Sequence, residues 1–323
     1  MASRQPQRRV AVAIDLRYGL RHHWDIFSGI QRYAQEHDHW ECVLDPFVGI
    51  EDRASRSVRY DGIIGRATHP MVQAAARMRK PIVNIWSGSP VRSLPSVLPD
   101  FAAMGQSAAE HLLARGYRRL AFHGLLRHQG SRLAMAGFSH TLRAARCSVE
   151  TWLFPLRCDM DAASWHDHTR RLDQWVVSQR HPLGVYVIQD IFCRYAAAAC
   201  LRAGLSVPDQ VALIGTGNEP LICLHPMPTL SSIDPGYERV GYEASELLER
   251  LMRGQRAPAG PILVKPSGLV IRRSTDSYVV DNPIALAALG FIARHAAETF
   301  LVRDVAKHAG TTVRSLQRHF RTA

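Results

Sequence analysis

At 323 residues the chain is long enough for two or three domains with a sizeable core, and its 46% apolar composition excludes an intrinsically disordered protein. Forty Lys and Arg against 28 Asp and Glu leave a net charge of +12, which favours a polyanionic partner such as nucleic acid over an acidic protein or an anionic substrate. The six cysteines are scattered, with no CxxC pair and no His or Cys at metal-ligand spacing, so neither a metal site nor a disulfide framework is expected; they read as small core hydrophobes.

The start, MASRQPQRR, is basic and polar, and the VAVAI that follows is too short for a signal-peptide core or a membrane span. A cytoplasmic protein without a membrane partner is expected. From Arg9 to about Arg273, short β-branched apolar runs alternate with longer helical patterns, the pattern of βαβ units and parallel sheets. Strands are expected at Val10 to Ile14, Cys42 to Leu44, Gly62 to Ile64 and Pro81 to Ile85, with a helix from Trp24 to Gln35. A strong helix, Ala102 to Arg115, ends at Gly116. A second lobe then begins at Arg119 to His123, with strands near Val149 to Phe154, Gly184 to Ile188 and Val211 to Gly215 and helices at Ala162 to Ser178 and Phe192 to Ala203. Two similar α/β halves of about five strands each suggest paired lobes with a cleft. After a helix at Arg239 to Met252 and a loop at Arg253 to Pro261, strands at Ile262 to Lys265 and Leu269 to Ile271 are expected to return to the first lobe. Arg272 to Pro283 has no helical or strand period and reads as a linker, which puts a domain boundary near 275 to 282.

The last residues, Val302 to Ala323, read as a helix-turn-helix. Ala306 sits on the inner face of a short helix, Ala309 and Gly310 make the turn, and Thr312 is placed to cap a second helix. There Val313, Leu316 and Phe320 fall at i, i+3 and i+7 and should share a buried stripe, leaving Arg314, Gln317, Arg318 and Arg321 outside. Such a cationic, amide-bearing face suits the major groove, where Arg bridges the two acceptors of guanine and Gln the donor and acceptor of adenine. The pattern alone fits an amphipathic helix with a solvated basic face equally well.

Val97 to Gly124, Val207 to Gly215 and Pro228 to Ile233 together resemble the sugar-binding core of LacI/GalR-type regulators, which are similar to periplasmic binding proteins. With Arg9 to Val12, Tyr18-Gly19, Gly29-Ile30, Tyr33-Ala34 and Asp61 to Ile64, and with the reader at the back of the chain, the whole resembles the xylose operon regulators, which join such a core to an AraC-type DNA-binding domain. The resemblance implies a two-lobe, type I periplasmic-binding-protein-like α/β core (9–275), a linker (276–282) and a small all-α AraC-type helix-turn-helix segment (283–323). It also implies a regulator that binds xylose or a related monosaccharide in the inter-lobe cleft and a double-stranded DNA operator, as a homodimer. Ala306, Gly310, Thr312, Leu316, Arg318 and Phe320 fill the positions of the AraC-type first helix-turn-helix, which makes Thr312, Arg314, Gln317, Arg318 and Arg321 the candidate DNA contacts, Arg321 to phosphate. AraC-type domains resemble two such units joined by a long helix, and this chain carries one, so a sugar-binding module without specific DNA binding is the alternative reading.

On the sugar side the resemblance places an Arg where Ala134 stands and an acid where Gly217 stands, and retains Asp190, whose family counterpart accepts sugar hydroxyls. Arg132, and Asn218 or Glu219 beside the loop, are the candidate substitutes. Arg132, Asp190 and Asn218 are expected at strand C-termini, the edge where open parallel sheets bind ligands; a helix cap is the other reading of Asp190, a salt bridge that of Arg132. Tyr18, Trp24 and Trp86 flank first-lobe strands and could stack on a sugar ring, core packing being the alternative, and Arg66 is similarly placed. His22-His23 and His166-Asp167-His168 read as solvated surface rather than ligands, because residues two apart do not share a helix face. No GxSxG, P-loop, GxGxxG or HExxH motif occurs, so neither an enzyme nor a cofactor is implied.

Overall fold

The computed structural model describes residues 7–18, 21–49, 59–155, 162–225, 227–279, 282–295 and 298–322, with backbone alone at 18, 293, 294, 321 and 322. The elements open with β1 (Arg8–Ala13), α1 (Arg21–His37), β2 (Trp40–Leu44), β3 (Gly62–Gly65), α2 (His69–Met78), β4 (Ile82–Asn84), β5 (Val97–Pro99) and α3 (Phe101–Ala114). They continue with β6 (Leu120–Leu125), α4 (Gln129–Ala144), β7 (Val149–Phe154), α5 (Ala162–Ser178), β8 (Leu183–Val187), α6 (Asp190–Arg202), β9 (Val211–Thr216) and α7 (Pro220–Cys223). The chain closes with β10 (Ser231–Asp234), α8 (Tyr237–Met252), β11 (Ile262–Val264), β12 (Gly268–Val270), α9 (Pro283–Arg294), α10 (Val302–His308) and α11 (Val313–Thr322). Two compact units result: 1–104 with 128–133 and 234–268, and 105–127 with 134–233 and 269–323.

The first unit is built on a parallel sheet in the order β2-β1-β3-β4, with β11 and β5 as a separate parallel pair. Period-two alternation along β1 explains why its sequence is apolar at nearly every position. Val10, Val12 and Ile14 pack with Ile26 and Ile30 of α1 and Val240 and Leu247 of α8, while Ala11 and Ala13 face Met71 and Ala75 of α2. Beside β1 and β2 lies one buried carboxylate, Glu249. It accepts from Trp40 Nε1 at 2.9 Å and Arg253 Nε at 2.8 Å, with Arg8 Nη1 and His39 Nε2 each 3.3 Å away. Glu249→Ala is expected to destabilise the protein by about 2–3 kcal/mol in urea titration, since it strands a buried indole N–H and separates three cationic or imidazole groups from their acceptor. An unchanged midpoint would show that the network contributes nothing.

The second unit carries a six-stranded sheet, β12-β10-β9-β8-β6-β7, parallel from β10 through to β7. Here three sequence expectations need correction. The Leu269 to Ile271 strand was expected to return to the first lobe, but β12 is an edge of this second sheet. The sheets hold four and six strands rather than five each, because β10, which carries two buried serines amid Leu230 and Ile233, escapes a hydrophobic-run reading. Arg272 to Pro283, read as a linker, is bonded to the unit over much of its length. Ser274 Oγ donates to the Leu213 carbonyl at 2.6 Å, Thr275 Oγ1 meets Ser231 Oγ at 2.7 Å and His111 Nε2 at 3.0 Å, and Val279 N donates to the Arg115 carbonyl at 2.7 Å. Short polar side chains replace apolar periodicity as the anchor, and no period betrays them.

Buried His123 of β6 is paired in register with Trp152 of β7 and lies 6.5 Å, ring to ring, from His168 of α5. His168, expected in a solvated face, is buried against Phe154 at 3.9 Å, whereas His166 is exposed. Alternation of burial within α5 follows its packing on the sheet, which the local sequence does not state. Cys193, Cys200 and Cys223 are buried as expected of small hydrophobes; Cys158 lies outside the described residues.

Candidate functional site

In the first unit the chain segments leaving β1, β3 and β4 bring several polar side chains together. Asp15 holds Arg17 through two bonds, Nε to Oδ1 at 2.9 Å and Nη2 to Oδ2 at 2.7 Å, and the Arg17 guanidinium beside it lowers the Asp15 carboxyl to about 2. His23, only 2% exposed, has Nδ1 2.9 Å from the Asp15 carbonyl oxygen. A carbonyl can only accept, so Nδ1 carries the proton and Nε2 the lone pair. His22 stacks edge-on to His23 at 4.5 Å, and burial pushes its pKa down to about 4. Arg66 lies with its guanidinium 4.7 Å from the Trp86 ring centroid, both half-buried. Two of the expected residues, Arg66 and Trp86, are thus brought together. Trp24 is 51% exposed on α1, and the Tyr18 side chain lies outside the described residues. His22 and His23 join the site although they read as surface; a doublet opening a helix directly after a strand was the available signal.

In the second unit Asp190, the first residue of α6, is 3% exposed. Its Oδ1 accepts from Ser232 Oγ at 2.6 Å and its Oδ2 from Glu219 N at 2.8 Å. Burial raises its pKa despite those bonds. β9 leaves room for the carboxylate by carrying glycine there: a Cβ on Gly215 would stand 2.1 Å from Oδ1. Asp190 therefore pins the loop after β9 to the start of α6. Asn218, in that loop with φ of 49°, accepts from Arg272 Nη2 at 2.7 Å through Oδ1 and donates through its N–H to Ser232 Oγ at 2.9 Å. Asn218 follows a strand as expected. Arg132, which belongs to the first unit, does not: it is exposed in the first turn of α4, donating to Gln129 Oε1 at 2.7 Å, because the helix begins earlier than the strand-end reading assumed.

At the C-terminal end α9, α10 and α11 share a small core of Ala288, Val305, Ala306 and Leu316. Asn282 caps α9, accepting from the N–H groups of Ile284 at 3.0 Å and Ala285 at 3.2 Å, and its Nδ2 meets His319 Nδ1 of α11 at 2.6 Å. Asn282-Pro283 is the sequence signal for that cap. Between α10 and α11 the chain turns through Gly310 at φ 65°, and Thr312 Oγ1 accepts from Ser315 N at 3.2 Å, capping α11. Thr312, Arg314, Gln317 and Arg318 are all exposed; the Arg321 side chain lies outside the described residues. The expected buried stripe is only partly formed. Leu316 is buried, but Val313 is 37% and Phe320 42% exposed, since three short helices supply too few neighbours to cover all of α11.

The model of the periplasmic binding protein-like domain matches residues 91–275, more than half of the chain. The chain belongs to the periplasmic binding protein-like domain family. The xylose operon regulatory protein of Haemophilus influenzae is 25% identical over 306 residues, covering 92% of this chain and 78% of that protein. Its namesake in Escherichia coli K12 is 26% identical over 304 residues, covering 92% and 77%. Among solved structures, a xylose-binding transcription activator, XylR, superimposes with a TM-score of 0.69 at 24% identity, covering 99% of this chain and 83% of that one, which shows a shared fold. These relatives of the periplasmic binding protein-like chain are regulators rather than enzymes. Among the described residues no helix is long and apolar enough to cross a membrane, and no group of three or more His, Cys, Asp or Glu is placed to hold a metal.

Proposed function

We propose that the chain is a cytoplasmic, sugar-responsive transcription regulator: 9–275 bind the effector, and an AraC-type helix-turn-helix in 283–323 reads a double-stranded operator as a homodimer, with 276–282 between them held to the second unit at Ser277 and Val279. The carrying observation is the pair α10–α11, joined by a glycine turn, with Leu316 inward and Arg314, Gln317 and Arg318 exposed together on α11. Similarity to xylose operon regulators over 92% of the chain supports a monosaccharide effector, xylose or a relative. Arg66, Trp86, Tyr18, Trp24 and Arg132 in the first unit and Asn218 in the second are the candidate contacts, each taken within its own unit, and Asp190 acts by holding the Asn218 loop. A sugar alters DNA binding only if it prefers one conformation, with a coupling of about 1–3 kcal/mol.

Gel shift with the DNA upstream of the chain's own gene cluster, at low and physiological salt and with and without xylose, tests the reading. Arg318→Ala should remove about 1–3 kcal/mol of discrimination at one base position, and unchanged operator preference would count against this face. One observation favours a second reading, a sugar-binding module without specific DNA binding: Val313 and Phe320 remain exposed on α11. Binding that vanishes at physiological salt for every sequence would select it.

A further inference from the structure

In the first unit, several arginines are matched by a carboxylate. Arg8 meets Glu249, Arg9 meets Glu41, Arg17 meets Asp15, Arg21 meets Asp25 and Arg32 meets Glu238, each within 3.3 Å. Arg66 is not among them. Among the described residues its guanidinium has neither a carboxylate partner nor a side-chain hydrogen bond, although it is half-buried where β3 ends. Burial accordingly lowers its pKa, with no neighbouring acid to restore it. A desolvated cation without a counter-ion is costly and is retained where something else supplies the charge.

Its surroundings sharpen that conclusion. The Arg66 guanidinium carbon lies 4.7 Å over the Trp86 ring centroid, a cation–π contact that uses none of the fork's N–H donors, which remain able to grip two oxygens at once. His22 and His23 both lie within electrostatic reach of Arg66, and both have their pKa values lowered by burial and by that charge, so they stay neutral near pH 7. His23 Nε2 is buried and, among the described residues, unpartnered. With Nδ1–H committed to the Asp15 carbonyl, Nε2 is an acceptor and needs a donor such as a hydroxyl. One fixed positive charge and one orphaned acceptor therefore stand together at the end of the first sheet.

We propose that this site takes a monosaccharide carrying an anionic group, a carboxylate or a phosphate, with Arg66 as the counter-ion and His23 Nε2 accepting a hydrogen bond from a sugar hydroxyl. The inference rests on the effector reading above and narrows it: a neutral pentose fills the hydroxyl role but leaves Arg66 unpaired. Trp86 then serves Arg66 rather than the sugar ring.

Calorimetric titration of the full chain with D-xylose, D-xylonate and D-xylulose 5-phosphate decides the matter. At 50 mM salt, at least one of the two anions is expected to bind ten times more tightly than xylose or better, and the advantage should shrink as salt rises. Preference for xylonate assigns a sugar acid, and preference for the ester assigns a sugar phosphate. Arg66→Gln should abolish the advantage, bringing the affinities for the anions and for xylose to within a few-fold of each other, and Arg66→Lys should keep part of it. If Arg66→Gln fails to fold, the anion-to-xylose affinity ratio in the wild type and in Arg66→Lys decides alone. Xylose binding as tightly as both anions overturns the inference and leaves the regulator reading intact. Binding of none of the three overturns the inference and the sugar effector together, and the gel shift then judges DNA reading separately.

Discussion

Gly29→Ala is expected to destabilise the protein by about 3 kcal/mol or more and to lower its melting temperature by about 6–12 °C. A Cβ at Gly29 of α1 would stand 1.8 Å from the Glu238 carbonyl oxygen of α8, and one at Gly241 of α8 would stand 1.9 Å from the Ile26 carbonyl oxygen of α1. The two helices thus touch backbone to backbone at reciprocal glycines, with no flexible side chain to yield. Alanine is the better helix former by about 1 kcal/mol, so propensity alone predicts a stabilised variant. Steric overlap has to win for the measured sign to be negative. Thermal unfolding by circular dichroism reads the outcome, and a variant melting at or above the wild type would mean that α1 and α8 do not pack this closely. Gly29→Ala with Gly241→Ala should cost much less than the sum of the two, because helices already forced apart admit the second methyl cheaply.

The second large effect is a loss of stability in acid that originates in the second unit. His123, 1% exposed, has its pKa pushed down to about 3 by burial and secondarily by His168, and burial lowers His168 as well, with Asp167 opposing and Arg171 reinforcing the shift. A base whose folded pKa lies below its unfolded value of about 6.5 is neutral in the fold and protonates in the unfolded chain first. Its contribution is complete above pH 6.5 and is lost as pH falls from there towards 3. At 1.36 kcal/mol per pH unit, His123 alone should remove about 2 kcal/mol by pH 5 and about 3 kcal/mol by pH 4. His123→Phe keeps an aromatic ring in the Phe154–Phe192 cluster and should flatten that part of the profile. Urea midpoints from pH 7 to 4 that fall in parallel for both proteins would show that His123 does not carry the effect.

A pH dependence of this origin is separable from effector binding. His123 belongs to the second sheet, whereas Arg66 follows β3 and His23 lies in the first turn of α1 in the first unit, and the guanidinium keeps its charge throughout the window. Any loss of anion affinity between pH 7 and 5 that exceeds the loss of folded protein would come from titration of the ligand or of the site histidines, not from His123.

Much of the architecture was legible from residue order alone. Strands rich in β-branched and aromatic residues, such as Val10 to Ile14 and Val149 to Phe154, and helices with a clear apolar period, such as Ala162 to Ser178, lie within one or two residues of expectation, because burial on one or both faces imposes a local repeat that the chain must carry. The turn at Gly310 and the cap at Thr312 were equally visible, since only a few residue types satisfy those backbone positions. By contrast, contacts between residues far apart in the chain leave no local period. Ser231, Ser274 and Thr275 look like loop residues until they meet in a buried network that ties down a supposed linker. His23 looks solvated until the Asp15 carbonyl orients it, and Arg66 is one arginine of many until its neighbours prove to have spent their carboxylates on other cations. Composition and spacing could establish which segments are helix, strand and turn, since those depend on near neighbours; which charge lacks a partner depends on the distances between segments, and these exist only once the chain has folded.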